Sequence, residues 1–354
     1  MTFLTVLAAI FCFGIIIMIH EFGHFIVAKK CGIRVLEFSI GMGPALFSKK
    51  HGETMYSVRL LPIGGYCAFE GEDSDSTDPR AFRNASVPKR MLVTLAGAFM
   101  NLVLGLLLIL IVLCMDKKIT TTTIDSFHQN ELGVSTASSE EWLRPGDRFV
   151  SINGLKIYTA TDISYALQND DCYEFTVVVE RDGREVTLEN VRFRDSRIKD
   201  ENVKVSFDFY VTGAEKTPAN LISYTGRGFV STARLIWISF RDLIRGKYGF
   251  NDMSSVVGII DTTTEVVAQG KTLQEKVMTL LDLMSFITIN VGIFNLLPFP
   301  ALDGARFVLL VIEGIRRKKL PTRVEASIHL AGFAILIVLM IALMFKDVAH
   351  IFNR

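Results

Sequence analysis

MIHEFGHFIV, residues 18–27, closes an otherwise apolar N-terminal segment and puts two histidines and a glutamate where a lipid-facing helix carries leucine. His20 and His24 are four residues apart, so on a helix their imidazoles share one face. Neutral imidazole suits Zn2+ at about 2.0–2.1 Å. Glu21 follows His20 directly, and in zinc hydrolases of the H-E-x-x-H pattern this glutamate is the general base toward water. Ionisable groups on a spanning helix are costly and mark function. The bland alternative places them at the membrane edge beside Lys29 and Lys30. Helix geometry argues against it: at 1.5 Å per residue His20 lies roughly 13 Å before Lys29, inside the bilayer and nearer its cytoplasmic face.

Working outward, half of the 354 residues are hydrophobic and 21% are charged, which calls for membrane spans together with polar domains. A net charge of +1 argues against nucleic acid as a partner. The cysteines Cys12, Cys31, Cys67, Cys114 and Cys172 are odd in number, scattered, and form no C-x-x-C pair, so neither a disulfide framework nor a cysteine zinc site is expected. The first segment has no basic n-region and no small-residue cleavage site, and reads as a retained span rather than a signal peptide.

Four stretches, 3–28, 91–115, 277–298 and 328–345, reach the roughly 20 apolar residues that a bilayer requires. The third is interrupted by Ser285, Thr288 and Asn290. Residues 235–240 are apolar, too few to span and flanked by arginines, which predicts a short interfacial amphipathic helix. Lys and Arg crowd the loop between spans one and two and the loop between spans three and four, where Arg316, Arg317, Lys318, Lys319 and Arg323 lie. Both loops are then cytoplasmic, and both termini and the segment between spans two and three lie outside.

The expected fold is a polytopic α-helical membrane protein with four transmembrane helices, a small membrane-associated β-element and an inserted extracytoplasmic α+β domain. In order, this divides the chain into a first span (1–30), a cytoplasmic loop with the β-element (31–90), a second span (91–115), the inserted domain (120–212) and an amphipathic linker at the membrane surface (213–276). A third span (277–304), a basic cytoplasmic loop (305–327), a fourth span (328–346) and an outside tail (347–354) follow. In the first loop, alternating runs broken by Gly and Pro give the β-element, and GEDSDSTDP, 71–79, reads as a solvated acidic loop. In the inserted domain, LRPGDRFVSINGLKI leads through a turn into a strand and a second turn at Asn153-Gly154. TATDISYALQ reads as a helix capped by Thr161 or Asp162, and FTVVVERDGREVTLENV as two strands around Asp182-Gly183. This arrangement resembles a bacterial-type PDZ domain, which binds an extended peptide by strand addition; a packed β-domain without a ligand is the competing reading.

A catalytic zinc needs a third protein ligand and an open position. NLLPFPALDGAR, 295–306, is the second polar intrusion: Pro298 and Pro300 break the helix, and Asp303-Gly304 brings a carboxylate. Broken backbone at membrane depth is tolerated where it is buried in protein or lines a wet cavity. On chemistry alone Glu313 and His329 compete with Asp303 as ligands.

HEFGH in the first span, NLLPFPALDG in the third and a PDZ-like domain between spans two and three resemble the site-2 protease family of intramembrane zinc metalloproteases, most of all the bacterial branch that cleaves membrane-bound anti-sigma factors. The likeness covers nearly the whole chain, and FSIGMGP (38–44), LPIGGY (61–66) and TINVGIFNLLPFPALDG (288–304) all share in it. It implies His20, His24 and Asp303 as zinc ligands and Glu21 as the catalytic glutamate. It further implies Asn295 as a holder of the substrate backbone, and Gly41, Met42 and Gly43 as part of a membrane-embedded strand that pairs with an extended substrate. Three departures stand out: Ala98 in AGAFMN (96–101) where the family often has proline, Ala305 where many members have a second glycine, and MSSVVGI (253–259) without the expected Gly-Pro. None removes a ligand or the base.

The implied activity is hydrolysis of a peptide bond inside the transmembrane segment of a single-span protein, an anti-sigma factor or signal-peptide remnant, after a first cut outside the membrane. Zn2+ is the implied cofactor, the lipid bilayer the setting, and the bacterial cytoplasmic membrane the location. The PDZ-like domain then acts as a size filter or as a receptor for a peptide C-terminus. Two rivals come from other classes. One is a catalytically inactive, zinc-containing PDZ scaffold, which leaves Glu21 without a purpose. The other is a metal transporter, for which four spans are few.

Overall fold

Helix α1, Phe3–Lys30, carries the quoted motif in its last turns and is apolar over most of its length. It packs with α2, Val87–Met115, and α5, Leu273–Asn295, through Ile16, Leu108 and Met284. Between helices in lipid, close packing rather than exclusion of water drives association, and small residues permit it. Gly23 shows the effect: a Cβ there would stand 2.7 Å from Met100 Cγ and would strike the Ala96 carbonyl. The computed structural model describes residues 3–352 apart from 73–75, 170–171, 199–204, 251–252, 254–257, 260–265 and 268. Most of the variant stretch MSSVVGI therefore lies outside the described residues.

The described residues include four helices long and apolar enough to cross a membrane: Ile10–Lys30, Val87–Met115, Leu273–Asn295 and Thr322–Ala349. They overlap the four expected spans; the last three begin earlier than expected, because the polar first turns keep their backbone bonds, and the third stops at Asn295, short of 298, ahead of the proline stretch. Two boundaries differ more. The basic loop expected at 305–327 holds helix α6, Asp303–Arg316, whose apolar residues recur at helical spacing too briefly to register as a span. The tail expected from 347 remains helical to the end of α7, Thr322–Phe352. Likewise 235–240 is not a short element but part of the 27-residue helix α4, Pro218–Ile244, whose apolar residues are spaced rather than contiguous.

The chain forms two units, Met1–Leu108 with Ile238–Arg354, and Ile109–Trp237. In the first, the β-element is a long hairpin, β1 (Val35–His51) and β2 (Thr54–Phe69), folded back on itself. Glu37 faces both Met55 and Ala68, and Ile40 faces both Val58 and Gly65, so the start of β1 is flanked by both halves of β2. Val35, Phe38, Cys67 and Phe69 bury one face of this sheet with Ala28 of α1 and Val93 of α2. That leaves residues 65–69 as an outer strand, paired on one side to β1.

The second unit holds a sheet of strands β3 (Ile119–Phe127), β4 (Arg148–Ile152), β5 (Leu155–Lys156), β6 (Phe175–Arg181), β7 (Arg184–Val191) and β8 (Phe209–Ala214). Its order is β7-β6-β4-β3-β8, with β5 paired to β4. Phe149, Phe175 and Phe193 are fully buried at its centre. Asp182 and Gly183 both have positive φ, 50° and 75°, as a two-residue type I′ hairpin turn requires. Helix α3, Ala160–Asn169, starts earlier than the Thr161 or Asp162 cap allows. Thr159 takes the cap position, and Asp162 turns back from the first turn to accept the N–H groups of Tyr158 and Thr159 at 2.8 and 2.9 Å. At the unit's other end, Lys216 Nζ donates to the carbonyls of Cys114 and Asp116 at 3.0 and 2.7 Å and closes the C-terminus of α2.

Asp162 is fully buried and also ties α3 to α4, accepting from Ser231 Oγ at 2.7 Å and from Arg234 Nη2 at 2.6 Å. A buried carboxylate needs such partners, and removing it leaves their donors unpaired. Asp162→Ala is expected to weaken α3 by about 2 kcal/mol, which is about 30-fold faster amide exchange across residues 160–169 in the purified full-length protein. Adding Arg234→Met to it should cost less than the sum of the two single changes.

Candidate metal centre

The site is assembled within the first unit from three helices. α1 presents His20 and His24 on one face, both buried. His24 Nδ1 lies 2.8 Å from the Val93 carbonyl, which can only accept, so Nδ1 carries the proton and Nε2 keeps its lone pair. His20 Nδ1 lies 3.3 Å from Nδ2 of fully buried Asn101, whose Oδ1 is buried without a hydrogen-bond partner among the described residues. With the carboxamide oxygen turned toward His20, Nδ1–H finds its acceptor and Nε2 is freed in the same way. Gly97, on α2, makes room for both rings: a Cβ there would stand 2.8 Å from His20 Nε2 and would overlap His24 Nε2.

Asp303 arrives from the far end of the chain. α5 ends at Asn295, and the Pro298–Pro300 stretch turns with Ala301 at φ 79° before α6 opens on Asp303. Gly304 lets that opening press onto the end of α5, since a Cβ there would overlap the carbonyls of Leu296 and Leu297. Asp303 Oδ2 is 3.1 Å from His20 Nε2 and 3.3 Å from His24 Nε2, and the two Nε2 atoms are 3.2 Å apart. Tetrahedral ligands at about 2.0–2.1 Å from zinc stand about 3.3 Å from one another, so the triangle has the size a zinc ion needs. Asp303 Oδ2 is buried and accepts no hydrogen bond among the described residues, as suits an atom reserved for a cation. His20, His24 and Asp303 are the one such ligand-bearing group among the described residues.

The two competing ligands lie elsewhere. Glu313 is buried in a bidentate ion pair with Arg90. His329 Nδ1 accepts the N–H of Ala301 at 3.3 Å, at the chain break rather than at the triangle.

A cavity of about 300 Å³ opens beside the triangle, with Glu21, Asn295, Cys67, Phe69, Glu72 and Arg306 among its lining. Gly41, Met42 and Gly43 are not among the residues that line it. The hairpin reaches the cavity instead by its outer strand: a Cβ on Gly65 would stand 3.6 Å from Glu21 Cγ, and the backbone N–H of Cys67 faces the Glu21 carboxylate as a donor. Burial pushes the Cys67 thiol well above its usual range, with the charge of Glu21 adding to the effect, so it remains a neutral wall.

Several of these residues carried no signal in the sequence. Glu72 belongs to the stretch expected to be a solvated loop, yet it is mostly buried against Arg306, and Asp78 of the same stretch pairs with Arg34 at 3.1 Å. Gly97 and Asn101 both lie in AGAFMN, which the family resemblance covers without giving either residue a role.

Residues 8–339 match Peptidase family M50. The chain is 32% identical over 359 aligned residues to a protein of Clostridium acetobutylicum named as a zinc metalloprotease, with all of both chains covered. It is 35% identical to a similarly named protein of Clostridium perfringens, covering 97% of this chain and 98% of that one. It is 28% identical to the regulator of sigma-W protease RasP of Bacillus subtilis, covering 98% of this chain and 99% of that one.

Because Gly97 leaves no space for a methyl group, Gly97→Ala is expected to push the imidazoles apart and abolish zinc retention, whereas Gly97 itself binds nothing. Metal content of the purified proteins by mass spectrometry checks this, with a near-stoichiometric wild type as reference.

Proposed function

We propose that this chain, which belongs to peptidase family M50 and is a zinc metalloendopeptidase of the site-2 protease type, cuts a peptide bond within the membrane-spanning segment of single-span membrane proteins. The substrates are anti-sigma factors or signal-peptide remnants already trimmed outside the membrane. The observation that carries this reading is the zinc-sized triangle of His20, His24 and Asp303 beside Glu21, three of the four on a helix long and apolar enough to cross a bilayer. The similarity to a relative named as a regulator of sigma-W protease supports the anti-sigma-factor class.

Zinc held by His20 Nε2, His24 Nε2 and Asp303 Oδ2 would supply a Lewis acid that makes water acidic and polarises a carbonyl. The remaining work falls to the chain's own groups. Glu21 takes a proton from the attacking water on its carboxylate and delivers it to the amide nitrogen as the peptide bond breaks. Val93 holds His24 in the tautomer that leaves Nε2 unprotonated, and Asn101, with its carboxamide oxygen turned to Nδ1, does the same for His20. The substrate must enter as unwound chain, because a helix keeps its carbonyls in internal hydrogen bonds. Residues 65–69 offer a free strand edge next to Glu21, and an extended segment can pair there by strand addition, with Asn295 holding its backbone from the end of α5. The PDZ-like domain and both termini lie outside, with the active site toward the cytoplasmic face.

The test is cleavage of a truncated single-span substrate by the purified protein in detergent. Glu21→Gln should keep its zinc and lose about 10²–10⁴-fold in turnover, the usual contribution of a positioned general base. Equal cleavage by the two proteins would end the assignment of Glu21.

A further inference from the structure

We infer that Glu72 and Arg306 form a stop at the end of the strand edge beside Glu21, and that this stop determines where the substrate is cut. The inference rests on the proteolytic reading above and adds a specificity-determining pair to it.

Amide directions along a strand repeat every second residue. Cys67 faces Phe38 of β1 and Phe69 faces Val35, so β1 covers one side of residues 65–69. On the other side, the Cys67 N–H faces the Glu21 carboxylate. The Phe69 N–H, two residues on, donates to Glu72 Oε2 at 3.2 Å. A carboxylate oxygen thus occupies the position that a carbonyl of an added strand would take. At Cys67 pairing requires only that the Glu21 carboxylate turn from the edge toward the reacting water, whereas at Phe69 the Glu72 carboxylate, held by Arg306, halts it.

Glu72 is held in that position from outside its own loop. Its other oxygen, Oε1, accepts from Arg306 Nη1. Arg306 lies three residues beyond Asp303 on α6, hence on the same helical face as that carboxylate. Its guanidinium rests over the Phe82 ring at 4.7 Å, and its Nε stands 3.6 Å from Glu325 Oε1. A turn closed for its own sake would need only the Phe69–Glu72 bond. Here the carboxylate is clamped from both sides, with about four-fifths of each side chain buried.

The pair also stands between two spaces. Glu72 and Arg306 line the 300 Å³ cavity at the triangle and, equally, a second cavity of about 210 Å³ that includes Arg83, Glu325 and His329. With the pair closed, an extended chain on the edge ends at this partition. With it open, the Phe69 amide becomes available and the edge lengthens into the second cavity. Strand pairing alone tolerates a slip of two residues, since such a slip restores both the hydrogen bonds and the side-chain faces, whereas a slip of one reverses them. A fixed end is what removes that freedom and gives a single cut position.

The experiment maps cut positions by mass spectrometry of the products from one single-span substrate, using full-length protein in detergent, with Glu21→Gln as the blank. Wild type should cut at one position. Glu72→Ala and Arg306→Leu should keep wild-type zinc content and add a cut two residues from the first, taking roughly a tenth or more of the product. Glu72→Gln, which keeps an acceptor for Phe69 N–H but loses the ion pair, should give a smaller share of the same new product. It also serves where the alanine variant does not fold. An unchanged cut position in these variants overturns the stop, whatever happens to the rate. Loss of all cleavage in all three with zinc retained overturns it too, because the pair would then support catalysis rather than register. Failure of the wild type to cut in a Glu21-dependent way removes the proteolytic reading and the stop with it, and so is told apart from failure of the stop alone.

Discussion

Two imidazole nitrogens and a carboxylate oxygen point at one another across 3.1–3.3 Å inside a bundle of apolar helices. Three lone pairs converging at low dielectric repel unless a cation lies between them, and every other feature of the first unit can be read as meeting that constraint. The cation's binding energy offsets the burial of the ligands. The ligands in turn must be aimed before it arrives, since a site that has to rearrange loses affinity to the ordering.

Aiming is done by backbone and by small residues. The Val93 carbonyl and the Asn101 carboxamide orient the two rings. Gly97 lets α2 come close enough for those partners to reach, and Gly304 lets α6 begin against the end of α5 so that Asp303 meets α1. The proline stretch between α5 and α6 interrupts the regular helical backbone, and the Ala301 N–H there donates to His329 Nδ1. This is the condition under which irregular backbone survives at membrane depth.

The hairpin adds a second device to the same cavity. Its buried face fastens it to α1 and α2 through Phe38, Cys67 and Val93, which places its outer strand next to Glu21. An unpaired strand edge is elsewhere a hazard for aggregation; here it is short, partly enclosed, and ended by the Glu72 carboxylate. The charged pair at its end and the buried Arg90–Glu313 pair both join residues more than two hundred positions apart. Such pairs contribute little net stability but penalise any arrangement that separates them, so they favour one packing of these helices over others.

Local regularities were the part of this protein readable from its sequence alone. His20 and His24 share a face because a helix repeats every 3.6 residues, and the four spans announce themselves by length and composition. Asp182-Gly183 marks a hairpin because few dipeptides accept positive φ twice. The order HEFGH, then a turn-rich domain, then NLLPFPALDG was enough to identify the family. Tertiary structure alone decided the rest. Asp303, Glu313 and His329 are equal candidates as chemistry, where only the family resemblance had pointed to Asp303; the pairing of Glu313 with Arg90 and of His329 with the Ala301 N–H separates them in space. Cys67 and Phe69, not residues 41–43, line the cavity because the hairpin doubles back, and no local pattern encodes that fold-over. Asp162 does bond the start of α3 locally, but its second role, tying α3 to α4, depends on partners some seventy residues away. Glu72 looked like part of a solvated loop because its charge is neutralised by an arginine 234 residues further on. Periodicity and turn chemistry act over a few neighbours and leave their mark in order along the chain. Contacts between distant segments leave none until the chain has folded.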